Sequence, residues 1–206
     1  MFIITLFNCF LNINFYDRIQ YITRLIVTTT FRIKSKDFKK EVIFMINIEK
    51  IYKETKYLDD LFSLQFDIKS PEIIKKYKLE LLVEFGELAN ETRCFKFWST
   101  NQTGKKSKIL EEYIDCLFMI LYFCNITNVS LSENFLAASN KDIIDTFLTL
   151  YKLGNDLIQK LEKETVKKLL VEILYLSQLL EFTLEDLTNE TKRKSQIVQK
   201  RLKGNY

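Results

Sequence analysis

The run YIDCLFMILYFC, Tyr113 to Cys124, decides the fold class. Wound as an α-helix of about 3.6 residues per turn, it is apolar around its whole circumference except at Asp115, with Glu112 one turn earlier on the same side. A helix that is apolar on every side is a buried helix, so other elements must cover it. Four glycines and one proline in 206 residues are too few for a turn-rich β protein, while Leu, Ile, Lys and Glu abound. The class expected is all-α, as a helical bundle, and the length suffices for one domain with a substantial core.

A second run, EFGELANE from Glu84 to Glu91, sets carboxylates beside a buried face. On a helix Glu80, Glu84, Glu87 and Glu91 share one stripe, flanked by Ile74, Tyr77, Leu81, Phe85 and Leu88. Like charges three and four residues apart repel, and carboxylates withdrawn from water cost several kcal/mol or take up protons. The two runs together read Glu84-x-x-Glu87, twenty-four residues, then Glu112-x-x-Asp115. Spacing of three puts both members of a pair on one helical face, so two antiparallel helices can aim four carboxylates at one point. All-oxygen ligands, in a chain without histidine, suit a hard divalent cation such as Mg²⁺. A cation there can neutralise a polyphosphate and acidify a water, which phosphoanhydride hydrolysis requires. Taken singly, Glu-x-x-Glu is common on solvated helix faces, and a partner arginine could satisfy Glu112 and Asp115; only the combination points to metal.

Elsewhere the chain reads as scaffold. Ser70-Pro71-Glu72 is a helix start, with Ser as N-cap and Pro at the first helical position. That helix is expected to end near Glu91, the apolar helix to span about 109–124, and two more to span 141–151 and 155–180, the latter broken near Lys163. A basic helix is expected over about 184–202. Between the acidic runs lies a polar loop with Phe95, Phe97 and Trp98 around Lys96. The net charge of +4, with basic and acidic residues interspersed, gives no nucleic-acid footprint. Cys9, Cys94, Cys116 and Cys124 lack zinc spacing, and Cys116 and Cys124 read as small buried hydrophobes, consistent with a reducing cytoplasm.

On these motifs the chain resembles the all-α nucleoside triphosphate pyrophosphohydrolase (MazG-like) superfamily. ELANETRCFKFWS followed by ILEEYIDCL is closer still to the all-α, dimeric type of dUTP diphosphatase, with the likeness running from about Ile48 to the C-terminus. The resemblance implies hydrolysis of dUTP to dUMP and pyrophosphate by a homodimer. It implies Mg²⁺ held by Glu84, Glu87, Glu112 and Asp115, with Glu84 as base for water attacking the α-phosphorus. It also implies substrate contacts from Gln65 (in LFSLQ), Asn90, Lys96, Trp98, Lys194 and Arg201. Asn90 could equally cap its helix, Trp98 could plug the loop, Gln65 could be a solvated helix-end residue, and the basic C-terminal helix could be solvated.

Departures from the family's pattern fall at the base-recognising end. A usual tyrosine is Thr191, two asparagines become Ser195 and Val198, a glutamine becomes Leu202, the glycine falls one place early at Gly204, and a common histidine is Phe118; Tyr206 matches. Losing polar groups on the substrate's edge weakens discrimination among nucleotides. A pyrophosphohydrolase of broader base choice and a non-catalytic helical nucleotide binder are the competing readings.

Residues 1–44 lie outside the resemblance. Their apolar opening is interrupted by Asn8 and Asn12 and is too short to span a bilayer, and residues 16–44 show no clean period. The core is expected to be 45–206, with 1–44 an extension or a mis-assigned leader before a native start at Met45. The intact mass of the natural protein is expected to map to Met45; a mass starting at Met1 refutes this.

Overall fold

The structure, a computed structural model, describes residues 35–101, 104–131 and 141–204, with side chains from Ile48 onward. Most of the expected extension, residues 1–34, and the match at Tyr206 lie outside the described residues. The chain divides into two compact units, 1–44 and 45–206, and the second holds the helical bundle and every candidate site residue. The fold is all-α: six helices and no strand among the described residues. They are α1 (Ser35–Ser63), α2 (Pro71–Thr92), α3 (Lys106–Ile126), α4 (Ile143–Gln159), α5 (Lys163–Leu179) and α6 (Leu184–Lys203).

Helix α3 is the axis of the bundle: α2 and α5 pack on it, α4 packs on α2 and α5, and α6 lies along α3. Tyr113, Ile114, Cys116, Leu117, Ile120, Leu121, Phe123 and Cys124 are fully buried, as a helix apolar all round requires. Each large side chain so buried contributes about 1.5–3 kcal/mol. Within the YIDCLFMILYFC run only Asp115 and Met119 are not buried, and both face one cavity. Tyr113 donates to the Ile173 carbonyl of α5, and Tyr122 to the Ile68 carbonyl ahead of α2, so the polar ends of both rings are satisfied inside the core.

The helix start at Ser70 is as expected: its hydroxyl accepts from Ile73 N–H, with Pro71 next. Helix α2 ends one residue past Glu91, at Thr92, and Arg93 takes the left-handed cap at φ 60°. Asn90 therefore sits inside the helix and is not its cap. Helix α6 opens with a capping box between Thr183 and Asp186.

Two expectations are corrected. Residues 35–44, in the stretch read as having no clean period, are helical: α1 begins at Ser35, and no glycine or proline interrupts SKDFKKEVIF. The break placed between Tyr151 and Asn155 is absent, and α4 runs to Gln159. Gly154 is there for contact with α2: a Cβ on it would lie 2.8 Å from Leu82 Cδ2 and 3.3 Å from Phe85 Cε2. Across the same contact a Cβ on Gly86 would come 3.3 Å from the Tyr151 hydroxyl oxygen. The break near Lys163 is found, with α5 beginning there.

Gly154→Leu is expected to destabilise the fold by about 1–3 kcal/mol, since the α2–α4 contact has no room for a side chain. Thermal unfolding followed by circular dichroism should show a midpoint lower by at least about 2 °C.

Candidate active site

Helices α2 and α3, packed side by side, bring Glu84, Glu112 and Asp115 together: each offers a carboxylate oxygen within 4.8 Å of the others. Glu84 Oε2 is buried and has no hydrogen-bond partner. Burial, then Asp115, Glu87, Glu80 and Glu112, push the Glu84 carboxyl up to about 8. Burial and Asp115 likewise raise Glu80 and Glu112. Burial raises Asp115 as well, and outweighs the opposing pull of Lys194. Three crowded carboxylates and one orphaned buried oxygen form a donor set that a divalent cation fits, with hard oxygen ligands and charge to neutralise. Glu87 is exposed and stands outside the group of three, although its charge acts on Glu84 and Glu112.

Helix α6 supplies the counter-charge. Lys194 forms an ion pair with Asp115 and reaches Glu111 at 3.4 Å, while Arg193 joins Glu111 at 3.0 Å to Glu190. Lys108, then burial working against it, then Arg193 and Lys194, leave the Glu111 carboxyl pulled down to about 2. Glu111, the other acid of LEEYID, escapes the sequence pattern because Glu112 carries the spacing of three; which of two adjacent carboxylates meets α6 is a matter of packing.

Beside the cluster lies a cavity of about 790 Å³. Glu84, Asp115 and Lys194 are on its wall, as are Gln65 from the turn after α1 and Arg201 from α6. Gln65 donates a long 3.4 Å bond to the Leu202 carbonyl, so its amide is held lightly. Phe118, Val198 and Leu202, three of the departures from the family's pattern, give this cavity an apolar lining. Of the other three, Ser195 is buried and accepts from Gln199, the buried Thr191 hydroxyl has no partner, and Gly204 follows the end of α6.

Asn90, Lys96 and Trp98 do not line the cavity. Lys96 Nζ donates to Asn90 Oδ1 at 2.6 Å, and Trp98 is 66% exposed, edge-on to Phe97 and Phe95. The loop is seated by Arg93, which bonds Ser99 and the Asn101 carbonyl, and by Gly104, where a Cβ would fall 1.9 Å from the Glu91 carbonyl oxygen.

A protein-family model described as dUTPase matches residues 47–206, more than three quarters of the chain. The chain belongs to the dUTPase family. It is an enzyme of the dUTP diphosphatase type, and a divalent metal is the cofactor general to that family. Comparisons with curated proteins and with solved structures find no match. No helix among the described residues of this dUTPase-family chain is long and apolar enough to cross a membrane.

A carboxyl raised in the folded state binds protons that the unfolded chain has released, so its stabilising effect is present below its unfolded value and fades as pH rises through the folded one. Glu84, with Glu80, Glu112 and Asp115 shifted in the same direction, therefore works against the chelator-treated protein between about pH 5 and about pH 8. Its unfolding midpoint is expected to fall across that window, and Glu84→Gln to flatten the slope; a wild-type midpoint independent of pH there refutes the clustering.

Proposed function

We propose that the chain hydrolyses dUTP to dUMP and pyrophosphate with Mg²⁺, by attack of water on the α-phosphorus. The observation that carries this reading is the crowding of Glu84, Glu112 and Asp115 at one end of a nucleotide-sized cavity, with a buried Glu84 oxygen that nothing in the protein satisfies. Those three carboxylates would hold the ion, with Glu87, on α2 beside Glu84, as a further ligand. Bound there, Mg²⁺ supplies phosphate-charge neutralisation and an acidified water.

The chain's own groups do the rest. Glu84 takes the proton of the attacking water at its buried carboxylate, a task for which a weak base suffices. Lys194 and Arg201 offer an ammonium and a guanidinium to the phosphates, Lys194 exchanging its carboxylate partner for the substrate. The apolar wall at Phe118, Val198 and Leu202 covers the nucleoside, and Gln65, donor and acceptor in one amide, meets the uracil edge. Asn90, Lys96 and Trp98 are not brought to the cavity in the single chain.

That same apolar wall favours one second reading, a pyrophosphohydrolase of broader base choice in the MazG-like manner. The assembly proposed is a homodimer. Leu79 and Val83 on α2, with Ile144, Leu148 and Tyr151 on α4, leave exposed apolar side chains at helical spacing on two helices that pack together. The free thiols of Cys94, Cys116 and Cys124 suit a reducing cytoplasm.

Purified protein with Mg²⁺ is expected to release pyrophosphate and dUMP from dUTP faster than monophosphates from a panel of other nucleotides, and chelation to stop it. Equal rates across the panel favour the broader reading. Glu84→Gln is expected to lower kcat by about 10²–10⁴-fold while leaving the helical spectrum unchanged. Near-normal turnover by that variant removes Glu84 from the role of base.

A further inference from the structure

At the end of the cavity away from the carboxylate cluster stands a carboxylate to which the dUTP mechanism gives no task. Along α3 the residues facing the cavity are Glu111, Asp115, Phe118, Met119 and Tyr122, which lie four residues before Asp115 and three, four and seven after it and form one stripe. Asn125 extends α3 one turn further, ten residues past Asp115 and so roughly 15 Å along the helix axis. Its Nδ2 donates to Asp59 Oδ2 at 2.8 Å, which fixes Asp59 of α1 at this far end. Asp59 lines the cavity, and its residue is only 8% exposed.

The chemistry around Asp59 is incomplete. Among the described residues no cation pairs with it, and its Oδ1 has no protein hydrogen-bond partner. Thr55, one turn earlier and also on the wall, spends its hydroxyl on the Ile51 carbonyl, and Tyr122 donates to Ile68. Phe62, Tyr77 and Tyr122 place aromatic rings around this end. An unpartnered acceptor on the cavity wall amid rings, a nucleotide's length from the carboxylate cluster, is arranged for the donor edge of a planar base. Phe118, Val198 and Leu202 leave few polar side chains to read that edge, and Gln65 and Asp59 are both present at the cavity wall.

We propose that Asp59 is a specificity-determining residue that accepts a hydrogen bond from uracil N3–H through its free oxygen, while Asn125 holds the other. This rests on dUTP being the substrate of the same site. Uracil presents a donor at N3 between two carbonyl acceptors, so with Asp59 on N3–H the Gln65 amide meets a flanking carbonyl through its N–H. Cytosine presents a bare acceptor at N3, which at that place would face the carboxylate lone pairs; its donor, the 4-amino group, stands one edge position away and reaches Asp59 only if the base shifts. A site built to hydrogen-bond a substrate group rejects an analogue lacking it far more strongly than an apolar pocket does.

The test is kcat/KM with Mg²⁺ for dUTP, dCTP and N3-methyl-dUTP, on wild type and on Asp59→Asn, which keeps an oxygen for Asn125. For Asp59→Asn we expect a fall of about 10-fold or more on dUTP, mainly through KM, and a dUTP/dCTP ratio that shrinks by at least as much. Wild type is expected to reject N3-methyl-dUTP by about 100-fold, a result that holds even if the variant fails to fold. An unchanged dUTP/dCTP ratio in folded Asp59→Asn, or wild-type turnover of N3-methyl-dUTP near that of dUTP, overturns the assignment. Wild-type protein that turns over other nucleotides but not dUTP overturns the underlying choice of substrate instead.

Discussion

The repulsion among Glu84, Glu112 and Asp115 is the interaction on which the rest of this structure depends. The three meet where two helices close against each other, at the margin of a core with no water to spare, and burial and mutual charge drive Glu84 up to about 8. Crowding of this kind persists only if a positive charge answers it or the carboxyls take up protons. Within the chain that answer is partial: Lys194 reaches Asp115 from α6, and no hydrogen bond reaches the buried Glu84 oxygen. The bundle thus gathers, at one point, an excess of negative charge of the kind that a divalent cation neutralises.

Gathering that charge constrains the packing around it. Helix α3 has to be buried on all sides except one, because the single open strip through Asp115, Phe118, Met119 and Tyr122 is the cavity wall. Helix α2 has to lie close enough to α3 for Glu84 to reach Asp115, and α4 is drawn tight onto α2 through Gly154 and Gly86. Helix α6 is anchored by the capping box at Thr183 and the Lys106–Asp186 pair, and so carries Lys194 to the acidic cluster and Val198, Arg201 and Leu202 to the cavity. Phe118, Val198 and Leu202 line that cavity with apolar side chains, and so set the surface it offers to a ligand.

The sequence alone determined the class of fold, the buried character of α3, the start of α2 at Ser70 and the spacing of three within each acidic pair, because these follow from helical periodicity and capping within one segment. It also carried the ELANE and FKFWS text on which the family likeness rests. It misplaced the end of α4, since a glycine required by a neighbouring helix looks the same in sequence as one that ends its own. Tertiary structure alone decided which carboxylates converge: Glu84, Glu112 and Asp115 meet while Glu87 stays exposed, a difference fixed by the rotation of α2 against α3. It also decided that Gln65, Lys194 and Arg201 share a cavity with two of them, whereas Asn90, Lys96 and Trp98 stand outside it. Asp59, in an unremarkable Asp-Asp pair on α1, became a candidate only once Asn125, sixty-six residues on, was seen to hold it at the cavity's far end. Spacing along one helix reports which residues share a face; which faces meet depends on contacts between segments distant in the chain, and those contacts made the site.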